Sequence, residues 1–418
     1  MNGMPEESAR PRVVFYGDDF TGSVDVLLQF ARHGWSGRLF VGVPDAALLR
    51  EAAAEHDVVG IAGIARSLPT DEIGAEVRPA LEALRDLEPR VVQYKACSTA
   101  DSSPTIGSIG RVIEIGREVV SDAPVPMLFA QPDFGRFTVF GTHFAAEGGT
   151  VHRLDRQPTM STHPSTPMHE ADLARHFSAQ TELPIGAISR LAYDDLADRL
   201  AGATSAAVVL DAIDNADAEV VGRAVLAQRA PLFAVGSGGL SWGIGAASPG
   251  AAVELPVATD AQGPVLVVSG SRSAQTRRQI EHAAASGWLV EPLSFSDAEA
   301  QTVRVREALA SGRCVVLTSD DAPTGADTLE RIADAAAAAI RSVTDLARRV
   351  IVAGGDTSGR VTRLLNVDSL AIAANPVANV VILRASSATE GIDGLELLLK
   401  GGQVGADSLF TDVASPAR

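Results

Sequence analysis

The sequence predicts an α/β protein of two domains, each a mostly parallel sheet flanked by helices. Short apolar runs alternate with helical stretches along nearly the whole chain, as in repeated strand–helix–strand units. The length of 418 residues, 46% of them hydrophobic, is more than one core usually holds. The alternation lapses once, over Ala246–Pro264, into Ala, Pro and Gly, which reads as an interdomain linker. The predicted division is residues 1–250 and 251–418.

The first predicted strand, Val13–Tyr16, runs into Gly17-Asp18-Asp19-Phe20-Thr21-Gly22-Ser23-Val24-Asp25. Val24, Leu27, Leu28 and Ala31 then recur at helical spacing. This is a strand-to-helix turn, the place where open α/β sheets bind ligands. Thr21 or Ser23 is the expected helix cap. Two adjacent carboxylates repel, so one tends towards a raised pKa. Asp18 or Asp19 is therefore a candidate general base or a grip for sugar hydroxyls. The plain alternative is that one caps the helix and the other faces water.

Further strands are expected at Arg38–Val41, Val58–Ala62, Val91–Tyr94, Met127–Ala130, Ala207–Leu210 and Leu232–Val235, with helices at Asp71–Leu87, Ala171–Ala179 and Ala216–Ala227. The segment His143–Pro167 shows no periodicity and reads as a long functional loop, with Thr166 capping a helix that starts at Pro167. Five of the eight histidines lie in or just after it. Their spacing fits no common metal motif, so a substrate-facing loop carrying Arg153, Arg156 and His163 is the expectation, and metal ligands stay unknown. At other strand ends, Arg66 follows Val58–Ala62, and Lys95 with Ser98 follows Val91–Tyr94. Cations there can hold a carboxylate while aspartates hold or deprotonate hydroxyls.

Beyond the linker, strands are expected at Val265–Val268, Leu289–Leu293, Cys314–Thr318, Arg349–Ala353 and Val380–Arg384, with helices between them. Three loops of small residues stand at element ends: Ser269–Ser273, Gly354–Gly359 and Lys400–Gly405. Such loops present N–H groups and hydroxyls to phosphate. No GxxxxGK[ST] loop is present, so a P-loop enzyme is not expected. Gly236-Ser237-Gly238-Gly239-Leu240-Ser241 narrowly misses a dinucleotide fingerprint. It keeps an NAD-dependent dehydrogenase as one alternative, beside close helix–sheet packing; a non-catalytic sugar-acid-binding protein is another.

Of 35 basic residues only Lys95 and Lys400 are lysines. A chain that otherwise uses arginine keeps a compact ammonium where a planar fork does not fit, as at carboxylate or phosphate sites. The formal net charge of −17 argues against nucleic acid. No apolar run approaches the roughly 20 residues of a membrane helix. Two cysteines, Cys97 and Cys314, give no disulfide framework, and no signal-peptide pattern is seen at the start, so a cytoplasmic protein is expected.

GDDFTGSVD, the Tyr94–Thr99 segment, VGSGGL at Val235–Leu240, VSGSRS at Val268–Ser273, GGDTSG at Gly354–Gly359 and KGGQVG at Lys400–Gly405 together resemble the four-carbon acid sugar kinase family, in family order. The resemblance implies an N-terminal acid-sugar domain, a C-terminal ATP domain, Mg²⁺ on the ATP phosphates, and transfer to a terminal hydroxyl; a homodimer is left open. It implies ATP contacts at Ser269, Ser271, Gly354, Gly355, Asp356, Thr357, Ser358, Lys400, Gly402 and Gly405. The family pattern after Lys95 places an acid, an arginine and a glycine where this chain has Cys97, Asp101 and Ser102. That departure resembles a divergent subgroup acting on 3-oxo acid sugars, including branched ones such as 3-oxo-isoapionate.

Overall fold

In a computed structural model, residues 12–251, 255–320, 327–377 and 379–414 are described. The chain divides into two compact units, residues 1–254 and 255–418.

The first unit holds strands β1 (Val13–Gly17), β2 (Gly37–Val41), β3 (Val58–Ala62), β4 (Val91–Lys95), β5 (Val125–Leu128), β6 (Arg136–Val139), β7 (Thr142–Glu147), β8 (Thr150–Arg153), β9 (Ile185–Ile188), β10 (Ala207–Leu210) and β11 (Leu232–Gly236). Its main sheet runs β2-β3-β1-β4-β11-β5-β10-β9, all parallel. Every residue of β1, β3, β4 and β11 is buried. That is why these strands read as unbroken apolar runs rather than as alternations. Helices cover both faces. In helix Ile73–Arg85, for example, Ile73, Val77, Ala80, Leu81 and Leu84 form one buried stripe.

Three expectations are corrected here. The His143–Pro167 segment is not structureless: β7 and β8 form a hairpin turned at Gly148-Gly149, both at positive φ, with β6 on its other side. The helix expected at Pro167 begins at Leu173, capped by Asp172 through the Arg175 N–H. Thr166 instead bonds the His163 ring. Strand β5 also ends two residues earlier than expected, because Phe129 turns its carbonyl to the Ser237 hydroxyl, 3.0 Å away.

The second unit holds β12 (Val265–Ser269), β13 (Leu289–Pro292), β14 (Val315–Thr318), β15 (Arg349–Ala353), β16 (Ser369–Val377), β17 (Val380–Ser386) and β18 (Glu396–Lys400). The order β13-β14-β12-β15-β18 is parallel, and β17 and β16 continue it antiparallel. The strand at Val380 was legible, but not its partners: β16 carries register shifts at Ile372–Ala374 and Ala374–Val377 that blur its alternation.

Candidate functional site

In each unit the chain leaves two neighbouring strands in opposite directions. From β1 it goes to β2, from β4 towards β5 on the other side. From β12 it goes to β13, from β15 towards β16. The crevices at the carboxyl ends of β1/β4 and β12/β15 are therefore topological switch points, the ligand position of open α/β sheets.

At the β1/β4 switch point, Gly17 lies opposite Lys95 and the Asp18 N–H donates to the Lys95 carbonyl at 3.0 Å. Arg66, in the short turn after β3, reaches back with a bidentate grip. Its Nε donates to Asp18 Oδ2 at 3.1 Å and its Nη2 to Asp18 Oδ1 at 2.7 Å. The same Nη2 donates to Asp19 Oδ1 at 2.8 Å. Asp18 is buried and Asp19 is 28% exposed. Burial pushes the Asp18 carboxyl up from its ordinary value; the Arg66 charge opposes the rise and Asp19 adds to it.

Helix Phe20–Ala31 is capped by Asp19, which accepts the Gly22 N–H at 2.9 Å. Thr21 and Ser23 were the expected caps. The Ser23 hydroxyl donates to the Asp19 carbonyl instead, and Thr21 Oγ1 is enclosed with no partner among the described residues. Asp19 Oδ2 has no hydrogen-bond partner among the described residues.

Lys95 is 3% exposed, and its ammonium makes no hydrogen bond or ion pair among the described residues. A Cβ built on Gly22 would lie 2.6 Å from Lys95 Nζ and collide with Asp19 Oδ1. The acid and the cation thus converge over a bare backbone.

The loop after Lys95 is fixed from below. His143, fully buried on β7, bonds the Ser98 carbonyl through Nε2 at 2.8 Å and the Thr138 hydroxyl through Nδ1 at 2.9 Å. Burial lowers its pKa to about 4, so the ring is neutral. Thr99 donates to Asp101 at 2.5 Å and lies 3.0 Å from Cys97 Sγ. Ser102 bonds His176 and Gln180. The unusual acid, Asp101, is thus turned into its own loop.

Of the other proposed sugar contacts, two are elsewhere engaged. Arg153 pairs with Asp155 and His163 bonds Thr166, whereas Arg156 is exposed, with no contact of its own among the described residues to hold it at the cluster. No hydrogen bond or ion pair joins them to the Asp18–Arg66 cluster among the described residues. The Gly236–Ser241 loop has a packing role. A Cβ at Gly238 would strike the Asp25 carboxylate, and one at Gly239 the Ala130 carbonyl.

At the β12/β15 switch point, Thr318, Ser269, Ala353 and Lys400 stand in register. The Gly270 N–H donates to the Ala353 carbonyl at 2.9 Å and the Gly354 N–H to that of Lys400 at 2.8 Å. Helix Gly355–Leu364 starts at Gly354, whose φ of +121° favours glycine, and has no side-chain cap. The N–H groups of Gly355, Asp356 and Thr357 are the ones a helix start leaves without intrahelical partners, and they sit at its positive end. Asp356 is exposed there, while Thr357 is buried against Gly270.

The facing loop is held by hydroxyls. Ser273 donates to the Gly402 carbonyl at 2.5 Å and Thr276 at 2.9 Å; Ser271 lies 3.2 Å from Ser273. Lys400 Nζ donates to Thr276 Oγ1 at 3.0 Å and lies 5.9 Å from the Phe410 ring centroid. Burial lowers the Lys400 pKa to about 8. Gly405, at φ +87°, has its carbonyl bonded by Gln275, and Gln279 bonds those of Val404 and Ala406.

Thr276, Gln275 and Gln279 were missed in the sequence. The glutamine pair at i, i+4 was the available signal. Two expected ATP contacts are corrected. The Ser358 hydroxyl donates to the Val352 carbonyl and its N–H to Gly354, leaving no donor for a ligand. The Ser269 hydroxyl is buried and directed to the Ser271 carbonyl.

Residues 13–244 match the family model of a sugar-binding N-terminal domain, and residues 266–410 that of a nucleotide-binding C-terminal domain. The chain is 36% identical to a 3-oxo-isoapionate kinase of Paraburkholderia graminis, over 95% of this chain and 93% of that protein. It is 32% identical to a 3-oxo-tetronate kinase of Methylobacterium radiotolerans, over 94% and 96%. The crystal structure of Haemophilus influenzae protein HI1011 shares the fold, with a TM-score of 0.73 at 23% identity over 96% of this chain and 98% of that one. No described helix is long and apolar enough to cross a membrane. A sugar-binding domain model, a nucleotide-binding domain model and full-length kinase relatives agree: the chain belongs to the four-carbon acid sugar kinase family.

Proposed function

We propose that this protein is an ATP-dependent kinase that phosphorylates a terminal hydroxyl of a small 3-oxo sugar acid, of the tetronate or branched isoapionate type. The observation that carries the reading is Lys95: a buried lysine side chain whose ammonium has no partner among the described residues, set beside the Asp18–Arg66–Asp19 cluster at a switch point. Such a group asks for an anion from outside the protein. A sugar acid supplies a carboxylate for Lys95 and hydroxyls for the aspartates.

Within the pair, we assign the base to Asp19. Asp18 has both oxygens held by Arg66, whereas Asp19 Oδ2 is open. Asp19 would take the proton of the attacking hydroxyl as its oxygen bonds to the γ-phosphorus and the bond to the β-phosphate oxygen breaks, releasing ADP. The open helix start at Gly355–Thr357 and the small residues Gly270, Ser271 and Gly402 fit a polyphosphate, which needs close backbone approach and N–H donors. Asp356, exposed in that first turn, is the carboxylate that would hold Mg²⁺, which neutralises charge on the phosphates when bound.

The test is ADP release by the purified full-length protein with ATP, Mg²⁺ and 3-oxo-isoapionate, 3-oxo-tetronate or D-threonate in turn. One 3-oxo acid should give kcat/KM at least about tenfold above D-threonate. Turnover of none of the three, by folded protein, would sink the substrate assignment. Phosphoryl transfer from a donor other than ATP would sink the cofactor assignment.

A further inference from the structure

We propose that Asp320, at the carboxyl end of β14, binds the ribose hydroxyls of the nucleotide; the inference rests on the nucleotide reading of this unit given above. Strand β14 lies beside β12 on the side away from β15. Thr318 stands opposite Ser269, and the Ser319 N–H donates to the Ser269 carbonyl at 2.9 Å. Ser319 and Asp320 therefore emerge at the level of Gly270 and Gly354, on the same rim as the open helix start.

In open α/β sheets that hold a nucleotide, an acidic side chain at a neighbouring strand end takes the ribose hydroxyls while the phosphates lie at the helix N-terminus. Here the helix start follows β15, and β14 is two strands away, about 10 Å at ordinary sheet spacing. That separation suits a nucleoside triphosphate lying across β12 with its terminal phosphates at Gly355–Thr357.

The chemistry at β14 selects the sugar rather than another part of the nucleotide. The Asp320 side chain is 27% exposed and forms a loose ion pair with Arg277, whose Nε is 3.9 Å away, beyond hydrogen-bond reach. No hydrogen bond to its carboxylate is present among the described residues. A carboxylate only accepts, so a phosphate would be repelled, whereas two vicinal hydroxyls can each donate to it. The neighbouring Ser319 is 1% exposed, and its hydroxyl has no hydrogen-bond partner among the described residues.

The experiment is calorimetric binding of ATP, 2′-deoxy-ATP and 3′-deoxy-ATP, with Mg²⁺, to the full-length wild type, Asp320→Asn and Asp320→Ala. Wild type should bind ATP about ten- to a hundredfold tighter than at least one deoxy analogue, the size of one charge-assisted hydrogen bond. Both variants should weaken ATP by a similar factor and leave the affinity for that analogue unchanged. Equal affinities in wild type would overturn the proposal. So would discrimination that survives in Asp320→Ala, or a loss shared by all three nucleotides. Absence of ATP binding by folded wild type would overturn the nucleotide reading itself, and this proposal with it.

Discussion

The two switch points share one architecture and are finished in opposite ways. At β1, the helix start is closed by its own side chain: Asp19 caps it, and Arg66 ties Asp19 to Asp18. At β15, the helix start has no side-chain cap, and the loop across from it is held by serine, threonine and glutamine. A helix start whose dipole is already met by a carboxylate has little left for an anion, and on the reading proposed above that purpose falls to Lys95. A bare helix start is itself the anion site. On the assignment proposed above, the same turn becomes a sugar-acid site or a phosphate site according to what occupies its cap.

The largest expected effect comes from the cap that is also the proposed base. Asp19→Asn should lower kcat about 10²–10⁴-fold while thermal stability changes little, since asparagine caps a helix as well as aspartate. Asp18→Asn should differ in kind. It breaks the paired grip on Arg66 and should cost about 3 kcal/mol of stability, as measured by urea unfolding. Near-wild-type kcat in Asp19→Asn would move the base to Asp18 or remove it from the pair.

Next in size is the open cap. Gly355→Val places a branched side chain on the first N–H donor of the second crevice. It should raise KM for ATP about ten- to a hundredfold, a weakening of about 1–3 kcal/mol, with KM for the sugar acid unchanged. Equal effects on both substrates would erase the division of labour between the two turns.

The lysines sharpen the comparison further. Lys95→Arg should raise KM for the sugar acid about tenfold, because a guanidinium needs more room than the space over Gly22 leaves. Lys400 offers a pH test. Its pKa of about 8 lies below the ordinary lysine value, so its charge is present below that pH and lost above it. If that charge helps hold the nucleotide, KM for ATP should rise as pH passes upward through about 8. A KM independent of pH from 7 to 9 would reduce Lys400 to a support for Thr276.

The smallest effect concerns His143. Its folded pKa of about 4 lies below the unfolded value of about 6.5. The unfolded chain therefore takes up the proton first, and stability is lost as pH falls from about 6.5 to about 4. His143→Gln should remove part of that acid sensitivity in a denaturant titration. An unchanged pH slope would show that the ring is not the titrating group.

The buried parallel strands and the strand-to-helix turns were legible in the sequence because both announce themselves locally. An apolar run has to be covered on both faces, and glycine or aspartate has to follow it where the chain bends. What stayed hidden depends on which of several available partners a side chain takes once the chain is folded. Nothing near His143 says that its ring will be satisfied by Thr138 and Ser98, so β7 looked like loop. Nothing in GGDTSG says that the Ser358 hydroxyl will turn back to Val352. Arg153 and His163 had the right chemistry for a sugar acid, but near neighbours, Asp155 and Thr166, engage them. Asp19, not Thr21 or Ser23, is the cap because the helix starts at Phe20, which leaves Asp19 as the extended residue before it and puts the other two inside.

Gly22 carries a consequence for how this enzyme can change over generations. One added methyl there would meet the Asp19 carboxylate on one side and the Lys95 ammonium on the other. Drift at this codon would therefore be filtered by turnover before it was filtered by folding. In a duplicated copy released from selection, a substitution at Gly22 would leave a folded sheet and, on the assignment proposed above, a silent sugar site.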